Sequence, residues 1–502
     1  MLRILSRRVV RRFGTTRKLE VSNQQLFTAL HLRTFSKDEL RTAFDAADAN
    51  RDGSIDCREA AALFADSLDA CDRKAAARAV LAKLDRDEDG QITWDEFEKT
   101  IIEDATTLDR RVYPLAGAMF SAGLSVGTVV PILPVIVHDL GMGPAEFGLA
   151  VSAFGLTKLL ANVPAAGLVE SKGRQPLLVG GLVLLGGGFA SLAAAGGTAG
   201  LAASRALSGV GVTGLVTAIN MMAADISTPL SRASTMAPVM AGFNGGMILG
   251  PALGGALAHA VGPEYTCVLV GGVLALNAVA ARSMLAETRG SREIGDAAAP
   301  PQSQTAREVV DELRTSWDAS PEIRRLGLAN LAFFATIAGV NMTVLPLVLT
   351  GDLGLSPGAV GSLFAIQAAV SLVATLPVAK LADRVGPANL IPAGLATAGV
   401  AFAALPFATG FEHVAGIMAL QGLGSCVLGS APTAAAANAV GDEHRAAALS
   451  LVRVTGDLGM LLGSAGLGAF AAAAGSDYAF GAASVLLFGT AARFQLGAPK
   501  RA

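Results

Sequence analysis

Ala206-Leu207-Ser208-Gly209-Val210-Gly211 returns 213 residues later as Ala419-Leu420-Gln421-Gly422-Leu423-Gly424. This recurrence decides how the chain is built. The same offset, without a gap, carries Gly173 onto Gly386, Arg232 onto Arg445, Gly246 onto Gly459 and Gly250 onto Gly463. Gly-rich helices align by chance, but an arginine falling on an arginine at the same offset does not fit that explanation. One offset held across several apolar segments means two homologous halves.

Working outward, twelve runs are long and apolar enough to span a bilayer. They lie at 114–138, 146–169, 175–196, 200–225, 234–261 and 264–284, then at 326–350, 356–379, 387–408, 412–440, 445–473 and 476–495. Hydrophobic residues make up 52% of the 502-residue chain and charged ones 16%, below the quarter usual in soluble domains. Segments one and two, three and four, and every later pair of that kind are joined by loops without Lys or Arg. Lys172, Arg174, Arg232, Arg289, Arg384 and Arg445 fall on the other face, which the positive-inside rule makes the inner one, with both termini. The net charge of −2 argues against nucleic acid as a partner. Four scattered Cys imply no disulfide framework.

The charged residues gather ahead of the first span. Asp48-Ala-Asn50-Arg-Asp52-Gly53-Ser54-Ile55-Asp56-Cys-Arg-Glu59 and Asp85-Arg-Asp87-Glu-Asp89-Gly90-Gln91-Ile92-Thr93-Trp-Asp-Glu96 both satisfy the twelve-residue EF-hand pattern. Oxygens at positions one, three and five suit a hard cation, glycine at six allows the turn, and Glu59 and Glu96 close each site with two oxygens. Ser54 and Gln91 offer backbone carbonyls; Asp56 and Thr93 act directly or through water. Two calcium sites are expected, with Ile55 and Ile92 pairing the loops. Helices are expected at 38–47, 58–68, 74–84 and 94–102.

The membrane segments resemble the major facilitator superfamily. Gly167-Leu168-Val169-Glu170-Ser171-Lys172-Gly173-Arg174 looks like its loop signature between helices two and three, with Glu170 at the usual Asp position and Ser171 departing from a basic residue. Leu381-Ala382-Asp383-Arg384-Val385-Gly386 is the second-half copy. Arg205 with Gly209 and Gly211 resembles the fourth-helix motif, whose arginine the family links with proton coupling. Gly246-Met-Ile-Leu-Gly250-Pro251-Ala-Leu-Gly254-Gly255 matches the fifth-helix motif associated with antiporters. The resemblance implies secondary transport by alternating access, with Glu170, Arg174, Arg205, Asp383 and Arg384 in gating or coupling.

Ionisable residues inside spans are functional candidates by default. Arg453 and Asp457, spaced i, i+4, can pair on one helix face or take part in coupling. Lys158 can compensate Glu170 or Asp457, or attract an anionic substrate. Asn162, Asn220, Asn244, Asn341 and Gln367 are amides for a substrate cavity or for interhelical hydrogen bonds. Lys158 and Arg205 favour an anionic or amphipathic solute. A calcium pathway would need several acids at mid-membrane, and only Asp457 is there, so calcium is expected as regulator and not as cargo.

The first nineteen residues hold seven basic residues and no acid, the pattern of an organellar transit peptide, first of all mitochondrial. A basic tail touching anionic lipid is the alternative. The sequence thus predicts an all-α chain: a transit peptide or basic tail over 1–30, a paired EF-hand domain over 36–105, six-helix halves over 113–285 and 326–495, and a polar linker over 286–325 with a short helix from Thr305 to Trp317. A calcium-regulated transporter of a small organic solute is the expected function, in the mitochondrial inner membrane, another organelle or the plasma membrane. Membrane lipid is the other expected partner; oligomeric state is not legible. The alternatives are a membrane-tethered calcium sensor or buffer, and a calcium-independent facilitator. No hydrolytic triad, catalytic metal cluster or phosphate loop suggests an enzyme.

Overall fold

The computed structural model describes residues 26–496 apart from 28, 31, 33–36, 64–69, 229, 289–313, 316, 319 and 441. Residues 1–25 of the expected transit peptide or tail lie outside these residues, as does most of the expected 305–317 helix. The described chain forms two compact units. One comprises the N-terminal region to Val112 with 220–238 and 287–300; the other holds the rest.

In the first unit, α1 (Lys37–Ala47), α2 (Cys57–Ala62), α3 (Ala70–Leu84) and α4 (Trp94–Thr106) flank two short strands, β1 (Ser54–Ile55) and β2 (Ile92–Thr93). The strands pair antiparallel with Ile55 opposite Ile92. Asp56 and Thr93 each open the following helix with a capping box, closed by Glu59 and Glu96. Position nine and position twelve of each loop therefore also start a helix. Phe44, Phe97, Ile55, Ile92 and Ile101 form the core, with Phe44 edge-on to Trp94 and Phe97 at 5.5 and 5.4 Å. That core reaches back to Leu26, Phe27, Leu30 and Leu32, so the lobe begins before residue 36.

The remaining helices are α5 (Val112–Asp139), α6 (Pro144–Lys172), α7 (Arg174–Leu192), α8 (Thr198–Ile226), α9 (Arg232–Val261) and α10 (Pro263–Met284). After the linker come α11 (Pro321–Asp352), α12 (Pro357–Val385), α13 (Pro387–Ala404), α14 (Phe411–Ala439), α15 (Asp442–Ala474) and α16 (Ser476–Leu496). Among the described residues these are twelve helices long and apolar enough to cross a membrane. Proline is the first residue of five of them, where its missing N–H costs nothing.

The repeat governs the backbone as well as the residue types. In the membrane part the positive-φ glycines come in pairs 213 apart: Gly141 and Gly354 (63° and 61°), Gly173 and Gly386 (105° and 87°), Gly262 and Gly475 (90° and 103°). Only glycine enters this region without strain, so equivalent turns in both halves require it. Interhelical contacts repeat too. Gly211 of α8 lies on Gly181 and Leu185 of α7, and Gly424 of α14 lies on Gly394 and Ala398 of α13, every residue displaced by 213.

The glycines of α9 face α5. A Cβ at Gly250 would stand 2.6 Å from the Leu124 carbonyl oxygen and one at Gly254 2.7 Å from that of Thr128; Gly246 likewise abuts Phe120. In the second half Gly459 and Gly463 of α15 abut Leu331 and Ala335 of α11. Close approach of this kind is what small residues permit in membrane helices. The two halves also meet backbone to backbone near the face opposite the termini: Gly148 against Ser464, Gly468 against Pro144, Gly255 against Pro357 and Gly361 against Pro251.

One departure was not legible. α11 is not uniformly α-helical: Ile337–Val344 and Val348–Asp352 are π-helical. Thr343 donates to the Ala338 carbonyl at 2.9 Å, five residues back, in keeping with the wider turn. Such segments widen a helix locally and concentrate at functional sites.

Gly250→Ala and Gly463→Ala should each destabilise the purified protein by about 1–3 kcal/mol through overpacking. Gly416→Ala, where an added Cβ meets nothing within 4 Å, should leave the thermal midpoint unchanged. Thermal unfolding followed by loss of the monodisperse chromatographic peak checks this.

Candidate functional site

The two loops of the lobe fold alike, atom for atom. Asp48 accepts the amides of Asp52 (3.2 Å) and Gly53 (2.9 Å); Asp85 accepts those of Asp89 (3.2 Å) and Gly90 (2.9 Å). Glu59 accepts from Ala49, Asn50 and Asp56, and Glu96 from Arg86, Asp87 and Thr93. Position twelve thereby reaches across its loop in both cases. Arg51 and Glu88 at position four take φ near 60°, and Gly53 and Gly90 at position six take 88° and 86°. The chain curls so that carboxylate oxygens point inward.

Asp85, Asp87 and Asp89 bring carboxylate oxygens within 4.8 Å of one another. Converging anions repel, and Asp87 registers it. The Asp89 amide pulls its pKa down, but desolvation and the charges of Asp89, Glu96 and Asp85 hold it above the ordinary value. Asp52 goes the other way, held low by hydrogen bonds from the Ser54 hydroxyl and amide. Burial raises Glu96, yet the donors from Thr93 outweigh it and leave its pKa low. This all-oxygen, multiply anionic donor set fits a hard divalent cation. The residues that would hold it are Asp48, Asn50, Asp52, Ser54, Asp56 and Glu59 in loop one, and Asp85, Asp87, Asp89, Gln91, Thr93 and Glu96 in loop two. Ser54 and Gln91, at position seven of each, also meet side chain to side chain at 2.9 Å.

Loop two is tied to the far end of α4. Arg86, at its second position, hydrogen-bonds Thr100 and pairs with Glu103; Lys83 pairs with Asp104 at 2.9 Å. The next carbonyl, of Ala105, accepts the Thr228 hydroxyl at 2.5 Å. Thr228 and Ser231 cap each other's backbone amides just ahead of α9. Asp225, at the end of α8, accepts from Thr288 at 2.8 Å. Spacing along the chain contained no signal for Thr228 or Ala105.

In the second unit Lys158 of α6 meets Asp457 of α15 at 2.6 Å. The expected pairing of Arg453 with Asp457 along one helix does not form; Arg453 is exposed. The i, i+4 spacing put two charges on one stripe, but Asp457 faces α6, where Lys158 supplies a closer, half-buried partner. Lys158 and Asp457 belong to different halves, so the pair joins the repeats near the middle of both helices.

A cavity lined by α5, α6, α8, α11 and α15 lies between the halves, with Val130, Phe154, Arg205, Met342 and Met460 among its walls. The π segment of α11 contributes Ala338 and Met342. Arg205 is 5% exposed and stacks over the Phe154 ring at 4.6 Å.

The other named residues are spread. Glu170 is half-buried at the end of α6, Arg174 is buried, and Arg384 is exposed. The Asp383 side chain lies outside the described residues. Gln175, which motif reading passed over, is a clasp: it donates to the Arg282 carbonyl at 3.0 Å and accepts from the Arg282 guanidinium at 2.7 Å, tying α7 to α10. Asn341 accepts from Gln421 at 2.9 Å and donates toward Gln367 at 3.5 Å, linking α11, α14 and α12. Asn162 is half-buried, Asn244 exposed, and the Asn220 carbonyl oxygen is buried without a hydrogen-bond partner.

What stands here is a membrane part of twelve helices in two repeats with a cavity between them, preceded in the chain by a paired-loop lobe: a polytopic membrane transporter. The model of the Major Facilitator Superfamily matches residues 115–325 and 326–501, and that of an EF-hand domain pair matches 37–102. The chain belongs to the Major Facilitator Superfamily, with an N-terminal EF-hand pair. Quinolone resistance protein NorA of Staphylococcus aureus (strain Mu50 / ATCC 700699) is 28% identical over 152 residues, 30% of this chain and 39% of that one. Multidrug resistance protein 1 of Bacillus subtilis (strain 168) is 29% identical over 141 residues, 28% and 36% of the two chains. The matched segment thus spans under two fifths of the length of these relatives. Among solved structures, a bacterial homologue of the human lysosomal transporter Spinster, inward-facing and occupied, aligns with a TM-score of 0.65 at 17% identity, covering 77% of this chain and 95% of that one. The nucleoside transporter NupG aligns at 0.64 and 11% identity over 77% and 99%. These likenesses concern the fold.

Two outcomes follow. Lys158→Gln should cost about 3–5 kcal/mol, because it strands the buried Asp457 carboxylate, and Asp457→Asn should cost less, because Lys158 is half-buried, while the double variant should recover much of the larger loss; thermal unfolding of the four proteins tests it. With loop one or loop two isolated by Glu96→Gln or Glu59→Gln, calcium titrations should find loop two weakening at higher pH as acid is added. Its Asp87, with a raised pKa, takes a proton before Asp52 of loop one does.

Proposed function

We propose that this protein is a calcium-regulated secondary transporter that moves a small organic solute by alternating access, coupled to protons or to exchange. The observation that carries the regulatory part is the run of contacts from loop two to the α8–α9 turn. Arg86 sits inside the loop and grips Glu103; Lys83 grips Asp104; Ala105, the next residue, accepts from Thr228. Bound calcium supplies the positive charge that lets the converging carboxylates stay ionised. Asp85, Asp87, Asp89 and Glu96 then hold the loop in one shape, Arg86 follows the loop, and α4 follows Arg86. The Thr228 hydroxyl accepts the amide of Ser231, the residue before α9, so a shift of α4 alters the start of a helix whose glycine face packs on α5. The lobe favours one transport state only if this contact differs between states.

Transport of an organic solute is supported by the apolar cavity and by the drug-resistance names of the partial relatives. Gly246, Gly250 and Gly254 provide a smooth surface for helix sliding, and the Lys158–Asp457 pair joins the halves that must rock. Glu170, Arg174, Asp383 and Arg384 are the gating candidates at the basic face. The basic loops favour a lobe on the inner side, in cytosol, matrix or stroma, with two calcium sites in all.

Solute flux into proteoliposomes, with calcium buffered on the lobe's side, should change with calcium in the wild type. Glu59→Gln with Glu96→Gln should remove that response and leave a basal flux. A calcium response unchanged by the double variant would sink the regulatory reading.

A further inference from the structure

Arg205 is a charge without a counter-charge. It is 5% exposed on α8, its Nε has no hydrogen-bond partner, and among the described residues no carboxylate pairs with it. The buried acid of the neighbouring helices, Asp457, is spent on Lys158 at 2.6 Å. α5, which crosses the same cavity, carries an acid only at its last residue, Asp139. Glu264 of α10 is exposed. The Phe154 ring at 4.6 Å offsets part of the desolvation, but a ring face is no substitute for an anion. A guanidinium does not escape by losing its proton. A buried charge of this kind needs a partner.

We propose that the cavity around Arg205 binds an organic monoanion, with its carboxylate or sulfonate on the Arg205 guanidinium and its apolar body along the Val130, Met342 and Met460 wall. This rests on the reading of the membrane part as a transporter of organic solutes. The cavity holds about 30 Å³, room for a carboxylate-sized head group and not for a whole solute. The body of the solute therefore displaces wall side chains, and Met342 and Met460, unbranched and adaptable, yield most readily. The rest of the lining selects by exclusion. An organic cation meets Arg205 and no free acid. A neutral solute leaves the guanidinium unsatisfied. A dianion finds no second positive group, since Lys158 is already neutralised.

Equilibrium binding of radiolabelled 4-phenylbutyrate to the full chain in nanodiscs tests this without need of flux or calcium. Saturable binding is expected, with 4-phenylbutanol, 4-phenylbutylamine and chloride failing to displace the label at equal concentration. Arg205→Gln should weaken binding at least about tenfold, the loss expected for a charge-assisted contact, and Arg205→Lys should retain more of it. Met342→Trp, which fills the cavity and keeps the arginine, should also abolish binding, and so covers the case in which Arg205→Gln does not fold. Equal binding of the alcohol, displacement by chloride alone, or wild-type binding in Arg205→Gln or Met342→Trp would overturn the proposal. Arg205-dependent binding without any flux would leave it standing and remove the transport reading it started from. Flux of organic solutes with no preference for the anion would do the reverse.

Discussion

Backbone-to-backbone contact between membrane helices is the constraint on which the rest depends. Where Gly246, Gly250 and Gly254 of α9 lie on α5, and Gly459 and Gly463 of α15 lie on α11, no side chain separates the two helices. Lipid tails are as apolar as leucine, so helix association must come from close packing, and close packing requires residues without bulk. The same contacts leave a smooth track along each helix pair. A surface without interlocking side chains resists sliding least, which suits a bundle that must exchange one arrangement for another. Stability and mobility therefore draw on the same glycines.

Charge is handled differently in the two units. In the lobe, carboxylates converge at the surface, and their mutual repulsion prepares the loops for a cation. In the membrane part charges are few: among the described residues Lys158 pairs with Asp457, the Arg282 guanidinium donates to the neutral Gln175 amide, and Arg205 is buried without a carboxylate partner. The lobe thus gathers anions at its surface, and the membrane part buries a cation.

The contact from Ala105 to Thr228 gives the lobe something to act upon. Arg86 sits within a cation-binding loop and also holds α4, whose C-terminal carbonyl meets the capping turn of α9. In the proposed regulation this helix is the link between the loop and the turn that precedes α9.

Much of the plan was legible along the chain. The 213-residue offset follows from sequence alone because gene-level repetition preserves special backbone positions, and the paired glycine φ values are its physical trace. The EF-hand pair was also readable, because each loop is twelve consecutive residues and local geometry alone shapes it. For Asp457 the sequence left two partners open, Arg453 one turn away and Lys158, 299 residues away, and only the fold chooses Lys158. Likewise the π segments of α11, the Gln175–Arg282 clasp and the Thr228–Ala105 contact depend on which helix faces join. Sequence by itself determined the elements, their repeat and the local ion loops, since these depend on spacing within one segment. Tertiary structure decided which charges pair, because that depends on distances between segments that no spacing along the chain encodes.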